Sequence, residues 1–366
     1  MKYLNKEEIE KTLSLKDLTE DTHHAIGMMV SEIKNALESK YGLEANEIRT
    51  SPIVDVKDNY DRLYYPQDTI TKSSRYTRWI DDNTILRTQM TACIPNALSK
   101  LNTNDSLMLC PGMVYRRDVV DKTHVGEPHQ MDVWRVTKDK VYNRQDLLEL
   151  VETIINVVLP GVQWRYNETS HYYTKDGIEV EVYVNDNWLE ILECGLALPE
   201  LLSDSGLNPD TWSGLALGIG LDRAVMLRKG IADIRILRSD NPKISKQMST
   251  LLNYISVSSQ PQIKRDLSIA VDSDVNNEDL GDIIRNLMGD EVKIIEQVVI
   301  ISETKYEDLL EHVRERLGMT DNMKNILLRV IICPLDKAMT KTEANEIYTH
   351  LYSKLHQGNI GYTINI

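Results

Sequence analysis

Residues 114–134, VYRRDVVDKTHVGEPHQMDVW, concentrate side chains able to handle a polyanion. Arg116 and Arg117 precede Asp118, a polar turn carries His124, and a return run carries His129, Gln130 and Asp132. Paired guanidinium groups on a strand hairpin can grip phosphate oxygens bidentately, which lysine does less well. A merely solvated hairpin would use the same residue types. A second cluster, GLALGIGLDRAVM at 214–226, has closely spaced glycines that let a backbone approach a ligand, and Arg223 sits where the strand pattern becomes helical. Its spacing is neither that of a dinucleotide-binding turn nor that of a P-loop, and plain packing also uses such turns.

The elements that must position these groups read as an antiparallel sheet with helices, an α+β chain without repeated βαβ units. The first forty residues read as helix, with apolar positions of AIGMMVSEIKNALESKYG at helical spacing and Gly42 as the stop. SPIVDV, NTILRTQM, SLMLCPGMVYRRD and HQMDVWRVT read as strands, and RQDLLELVETIINVVLP as a helix ended by Pro160 and Gly161. GIEVEVYVN and NWLEILECGLAL form a hairpin across Asp186-Asn187. A helical connector, KISKQMSTLLNYIS, leads to the polar break SVSSQPQ. The remainder has the order β-α-β-β-α-β of a ferredoxin-like unit, with KYEDLLEHVRERLG inserted and YTINI as the last strand. The expected divisions are an N-terminal helical segment at 1–45, a main domain at 46–240, a connector at 241–260 and a C-terminal domain at 261–366.

Composition narrows the class. A chain of 366 residues with 42% apolar and 27% charged residues can bury a large core. A net charge of −14 argues against a nucleic-acid binder that uses its whole surface, though one basic stripe on an acidic protein remains compatible with RNA. No segment reaches membrane-spanning length, so the expected location is the cytosol, or an organellar matrix if a targeting segment has been removed. Cys93, Cys110, Cys194 and Cys333 form no CxxC pair, which supports neither a zinc site nor a disulfide framework. The chain has 17 tyrosines and 5 tryptophans but no phenylalanine. A missing core residue type signals selection, recoding or a constraint on synthesis.

Together the two clusters resemble motifs 2 and 3 of class II aminoacyl-tRNA synthetases. The closer match is to the phenylalanyl-tRNA synthetases, in their single-chain organellar form with a C-terminal ferredoxin-fold anticodon-binding domain. LKDLTEDTHHAIGMM, TILRTQMT, VYRRDVVDKTH with HQMD, NWLEILECG, and SGLALGIGLDRAVMLRKGIADIR line up in order. The resemblance implies an antiparallel class II catalytic sheet, ATP and Mg²⁺ as cofactors, an amino acid and tRNA as partners, and a monomer or homodimer without membrane attachment. It implies a catalytic set of Arg116 on the α-phosphate, Arg223 on the γ-phosphate, and His124. Asp118, with His124, falls at nucleotide-site positions, Glu190 at a Mg²⁺-holding carboxylate, and Gln130 and Asp132 where the substrate amino group is recognised.

Other positions depart from the family pattern. His171, Tyr172 and Tyr173 stand for a Phe-Pro-Phe stretch lining the amino-acid pocket, and Leu215 and Leu217 for motif 3 phenylalanines. Pro128 replaces an aromatic residue that stacks on adenine, Gln89 and Thr91 replace His and Ser near the substrate, and Glu193 replaces glycine. Two explanations follow. Phenylalanine was purged from an enzyme that still handles phenylalanine, or the new polar groups read a different amino acid, since a buried hydroxyl or imidazole needs a partner. A paralogue that adenylates without charging tRNA, and a non-catalytic RNA-binding regulator, are the alternatives in other classes.

Overall fold

Most of the strand-forming runs in the first two-thirds of the chain pair into one sheet. The computed structural model describes residues 3–257, 261–335 and 337–359. The chain forms two units, one of Met1–Arg116 with Glu127–Tyr254 and the other of Arg117–Gly126 with Ile255–Ile366. The strands of the first unit are β1 (Ala45–Glu47), β2 (Ile53–Asp55), β3 (Thr84–Leu86), β4 (Asp105–Met113), β5 (His129–Thr137), β6 (Trp164–Glu168), β7 (Thr174–Val184), β8 (Asn187–Ala197) and β9 (Ser213–Gly220). Seven of them form a sheet in the order β1-β4-β5-β9-β8-β7-β6, while β2 and β3 pair separately. Only the β1–β4 pairing in the large sheet is parallel.

Local chemistry sets the ends of these elements. The helix Ala25–Tyr41 starts at His24, whose ring accepts the Ile26 N–H, and stops at Gly42 in the left-handed region at φ 61°. The helical N-terminal stretch is broken before it, because the Asp17 carboxylate accepts the backbone N–H and hydroxyl of Thr19 and competes with helical bonding. Asn143 and Asp146 form a reciprocal capping box for the helix Arg144–Val158, which buries Leu147, Leu150, Val151, Ile154 and Val158 along one stripe. The β7–β8 hairpin turns at Asn185 and Asp186, one residue earlier than expected, with φ of 52° and 62°. Asn and Asp tolerate this left-handed pair because their short polar side chains can bond locally.

Two expectations fail for identifiable reasons. Arg116 and Arg117 are not on a strand: β4 ends at Met113, and the chain runs as a loop to His129. Asp121 accepts the N–H groups of Thr123 and His124 at 2.6 and 2.8 Å, a local turn that replaces sheet pairing. The connector helix also breaks up, into Pro242–Ser245 and a single 3₁₀ turn at Lys246–Ser249. The reason lies in Lys229, which is fully buried. Its Nζ donates to the carbonyls of Gln247, Thr250 and Leu252 at 2.9, 2.7 and 2.7 Å. Carbonyls converging on one ammonium are not available for a continuous helix.

In the second unit, β10 (Ile263–Asp272), β11 (Ile295–Lys305) and β12 (Met323–Ile332) form an antiparallel sheet in the order β10-β12-β11. The helices Asn277–Met288 and Lys341–Leu355 supply Leu280, Ile284, Leu351 and Tyr352 to its core. The insertion forms the short helix Glu311–Leu317. The last expected strand, YTINI, lies outside the described residues. Residues 117–126 belong to this unit: Val120 is in its core, Arg117 pairs with Asp282, and Arg285 donates to the Val119 carbonyl at 2.6 Å.

Among the described residues, no helix is long and apolar enough to cross a membrane. The four cysteines are free thiols. Lys229→Met keeps the volume of the side chain but leaves three converging carbonyls without that donor. It is expected to lower stability by about 3 kcal/mol or more, read from the midpoint of urea unfolding.

Candidate active site

Register decides which side chains share a face of the central sheet. Asp132 on β5 is opposite Gly218 on β9, and Gly218 is opposite Glu193 on β8. One pleat step away on this face lie Trp134, Ala216 and Gly195, and one step the other way Gln130 and Gly220. Leu215 and Leu217, expected at the amino-acid site, fall on the opposite face with Val133, Cys194 and Leu196. The helices Ala25–Tyr41, Arg144–Val158 and Leu221–Lys229 pack against strands of this sheet.

Arg116 and Arg223 approach the same acidic stretch of β8. The Arg116 Nε donates to the Thr88 carbonyl at 2.8 Å, and its guanidinium stands 5.8 Å from the Tyr76 ring centroid. Arg223, in the first turn of its helix, donates to the Glu190 carbonyl at 3.0 Å. His171 above all, and Arg116 after it, hold the Glu193 carboxyl below its ordinary range. Partial burial, then the neighbouring Glu193, raises Glu190, with Arg223 opposing. Among the described residues no group of three His, Cys, Asp or Glu side chains could cage a metal ion. A raised, exposed carboxylate at Glu190 fits instead a hard cation that brings most of its oxygen ligands with it.

The positions expected at the amino-acid site are connected to one another. Burial pushes Asp132 up to about 6, with Glu193 adding to the rise, while the nearby Thr91 hydroxyl and Trp134, whose Nε1 donates to it at 3.4 Å, oppose it. Burial raises the Tyr173 phenol well above its usual value, with the nearby Thr91 hydroxyl opposing. His171 Nε2 stands 3.2 Å from Glu193 Oε2, and its Nδ1 3.3 Å from the Thr174 hydroxyl. Tyr172 is about half exposed and packs on Tyr65 at 4.9 Å between ring centroids. The Tyr65 hydroxyl donates to Gln89 at 3.2 Å, and the Gln89 amide donates to the Asn59 carbonyl at 2.8 Å. Pro128 accepts the Val114 N–H at 2.9 Å. Asp118 and His124 belong to the segment of the second unit, where Asp118 accepts the Val119 N–H at 2.8 Å and His124 Nδ1 lies 2.8 Å from Asp121.

Two arginines beside a carboxylate stretch, on an antiparallel sheet with a glycine-floored face, invite comparison with known chains. A family model described as tRNA synthetases class II core domain (F) matches residues 8–248. The chain belongs to that family. This synthetase is 27% identical over 349 residues to the chloroplastic/mitochondrial phenylalanine–tRNA ligase of Arabidopsis thaliana, covering 91% of this chain and 76% of that protein. It is 28% identical over 361 residues to the probable mitochondrial phenylalanine–tRNA ligase of Drosophila melanogaster, covering 83% and 75%. With the phenylalanine–tRNA ligase alpha subunit of Buchnera aphidicola subsp. Baizongia pistaciae it shares 34% over 248 residues, covering 67% and 74%. A solved pyrrolysyl-tRNA synthetase from Desulfitobacterium hafniense aligns at a TM-score of 0.48 and 16% identity, covering 64% of this chain and 78% of that one.

Sequence reasoning missed what holds the synthetase's two motifs in register. His129 is fully buried, accepts the Leu18 N–H at Nε2 at 3.1 Å, and faces Asp222 through Nδ1 at 3.2 Å. Asp222 also receives the His129 backbone N–H and an Arg238 N–H at 3.3 Å, and Arg238 donates to the Glu127 carbonyl at 2.6 Å. A histidine directly before Gln130, and an aspartate directly before Arg223, were the available signals. Tyr65 and Ala216 were also missed, although strand alternation puts Ala216, not its leucine neighbours, on the site face.

Despite its burial, Asp222 is held down at about 2 by its contacts with His129 and the Arg238 guanidinium. Its stabilisation is therefore complete above the ordinary carboxylate range and is lost as pH falls through that range towards 2. Asp222→Asn is expected to destabilise the synthetase by about 3 kcal/mol at pH 7. Urea unfolding at a series of pH values should show the gap to wild type narrowing below about pH 4.

Proposed function

We propose that this synthetase is a phenylalanine–tRNA ligase, which adenylates phenylalanine with ATP and Mg²⁺ and transfers the aminoacyl group to tRNA. The observation that carries the choice of substrate is the similarity to two organellar relatives, one named a phenylalanine–tRNA ligase and the other a probable one, each aligned across about three-quarters of its length. At the expected pocket the Tyr65 hydroxyl donates to Gln89 at 3.2 Å, and His171 lies 3.2 Å from Glu193 and 3.3 Å from the Thr174 hydroxyl, so these polar tips are turned towards protein neighbours and the rings offer apolar surface.

In this reading the substrate carboxylate attacks the α-phosphorus of ATP and pyrophosphate leaves. Arg116 neutralises charge at the α-phosphate, and Arg223 holds the γ-phosphate end, so that alignment and preorganised charge lower the barrier. Gln130 and Asp132 orient the amino group. Glu190 would hold Mg²⁺, which supplies positive charge to the phosphate oxygens. No protein nucleophile is needed. A neighbouring nucleotide contact is assigned to Pro128, and tRNA contacts to the C-terminal unit.

The test is ATP–pyrophosphate exchange with each of the twenty amino acids, followed by charging of phenylalanine tRNA. Phenylalanine is expected to give the highest kcat/KM, with tyrosine disfavoured; folded protein that gives neither phenylalanine-dependent exchange nor charging would remove the proposal. Arg223→Ala is expected to lower exchange by about a hundredfold or more. The acid limb of kcat/KM for phenylalanine should fall near pH 6, where Asp132 takes up a proton and loses its hold on the ammonium group.

A further inference from the structure

Glu193 is the departure whose placement the family reading leaves without a role. Its strand position sets it opposite Gly218, with Asp132 opposite Gly218 on the other side. At about 4.8 Å per strand spacing, the Cα atoms of the two acids stand roughly 10 Å apart across a gap floored by a residue with no side chain. A Cβ placed on Gly218 would lie 3.5 Å from Asp132 Oδ1, so Asp132 already leans over that gap. On the other side His171, tethered to Thr174, lies 3.2 Å from Glu193 Oε2. Oε1 of Glu193 has no partner among the described residues.

We propose that Glu193 is a second carboxylate of the amino-acid site: Glu193 and Asp132 hold the substrate's α-ammonium group between them above Gly218, and His171 is the positioning residue that keeps Glu193 there. This rests on the ligase reading given above. Two carboxylates facing one another across a bare glycine repel, and a compact cation between them relieves the repulsion. The ligand class is therefore the α-amino acids, as against hydroxy or deamino acids with the same ring. The titratable groups that face Asp132 are Cys110 on β4, Tyr173 just before β7, and Glu193 on β8. Of these, Glu193 carries the negative charge that raises Asp132 beyond the effect of burial.

The experiment compares wild type, Glu193→Gln and Glu193→Asp in phenylalanine-dependent exchange, with L-phenylalaninol and 3-phenyllactate as competitive probes. Phenylalaninol keeps the ammonium and lacks the carboxylate; phenyllactate does the reverse. In Glu193→Gln the KM for phenylalanine and the Ki of phenylalaninol should each rise about tenfold, the loss of one charge-assisted hydrogen bond. The Ki of phenyllactate and the KM for ATP should stay within about twofold, because neither ligand presents an ammonium group to the pair. The acid limb of kcat/KM should move to lower pH, since Asp132 loses a negative neighbour, and Glu193→Asp should recover part of the affinity. If phenylalaninol and phenyllactate weaken together, or neither weakens, the proposal is overturned while the ligase reading stands. A wild-type chain with no phenylalanine-dependent exchange overturns the ligase reading itself.

Discussion

The buried contact between His129 and Asp222 is the constraint on which the site depends. His129 opens β5, one residue before Gln130, and Asp222 lies one residue before Arg223. Their hydrogen-bonded contact fixes the strand that carries Gln130 and Asp132 against the helix that carries Arg223. Leu18 and Arg238 close the network from two further parts of the chain. Leaving either buried partner alone would strand a charge or a donor in a low-dielectric interior, so the arrangement is close to all-or-none.

Absence of phenylalanine has a visible structural counterpart. Where an aromatic ring is retained in the interior, it is often tyrosine. At Tyr60 the extra hydroxyl bonds Thr77 and the Thr71 carbonyl. Elsewhere the core is filled by leucine, isoleucine, methionine and valine, which conserve apolar volume at modest cost. The same rule operates at the pocket, where His171 comes with Glu193. Purge of one residue type and preservation of an apolar pocket are therefore compatible, provided each new polar atom is introduced with its partner.

Much of the architecture was legible in the sequence because local rules and tertiary packing agree there. Gly42 as a helix stop, the helix that begins after Asn143, and the strand-to-helix passage at Gly220 each follow from capping, periodicity or glycine freedom. The misreadings came where a distant group overrode local pattern. Lys229 draws carbonyls away from helical bonding between Gln247 and Leu252, and Asp121 bends the run after Arg116 into a loop. Nothing within either segment announces the competitor.

From the sequence alone came the α+β class, the order of the elements, and the two arginine-bearing motifs, because each depends on residue types at short spacing. Only the folded chain decided which residues of those motifs face one another. Register put Ala216 and Gly218 on the site face and sent Leu215 and Leu217 to the other, set Glu193 across from Asp132, and brought His171 to Glu193. Side-chain direction in a sheet alternates with every residue, and partners lie on strands far apart in sequence. The pairing of strands therefore decides which charges meet, and spacing along the chain does not encode that choice by itself.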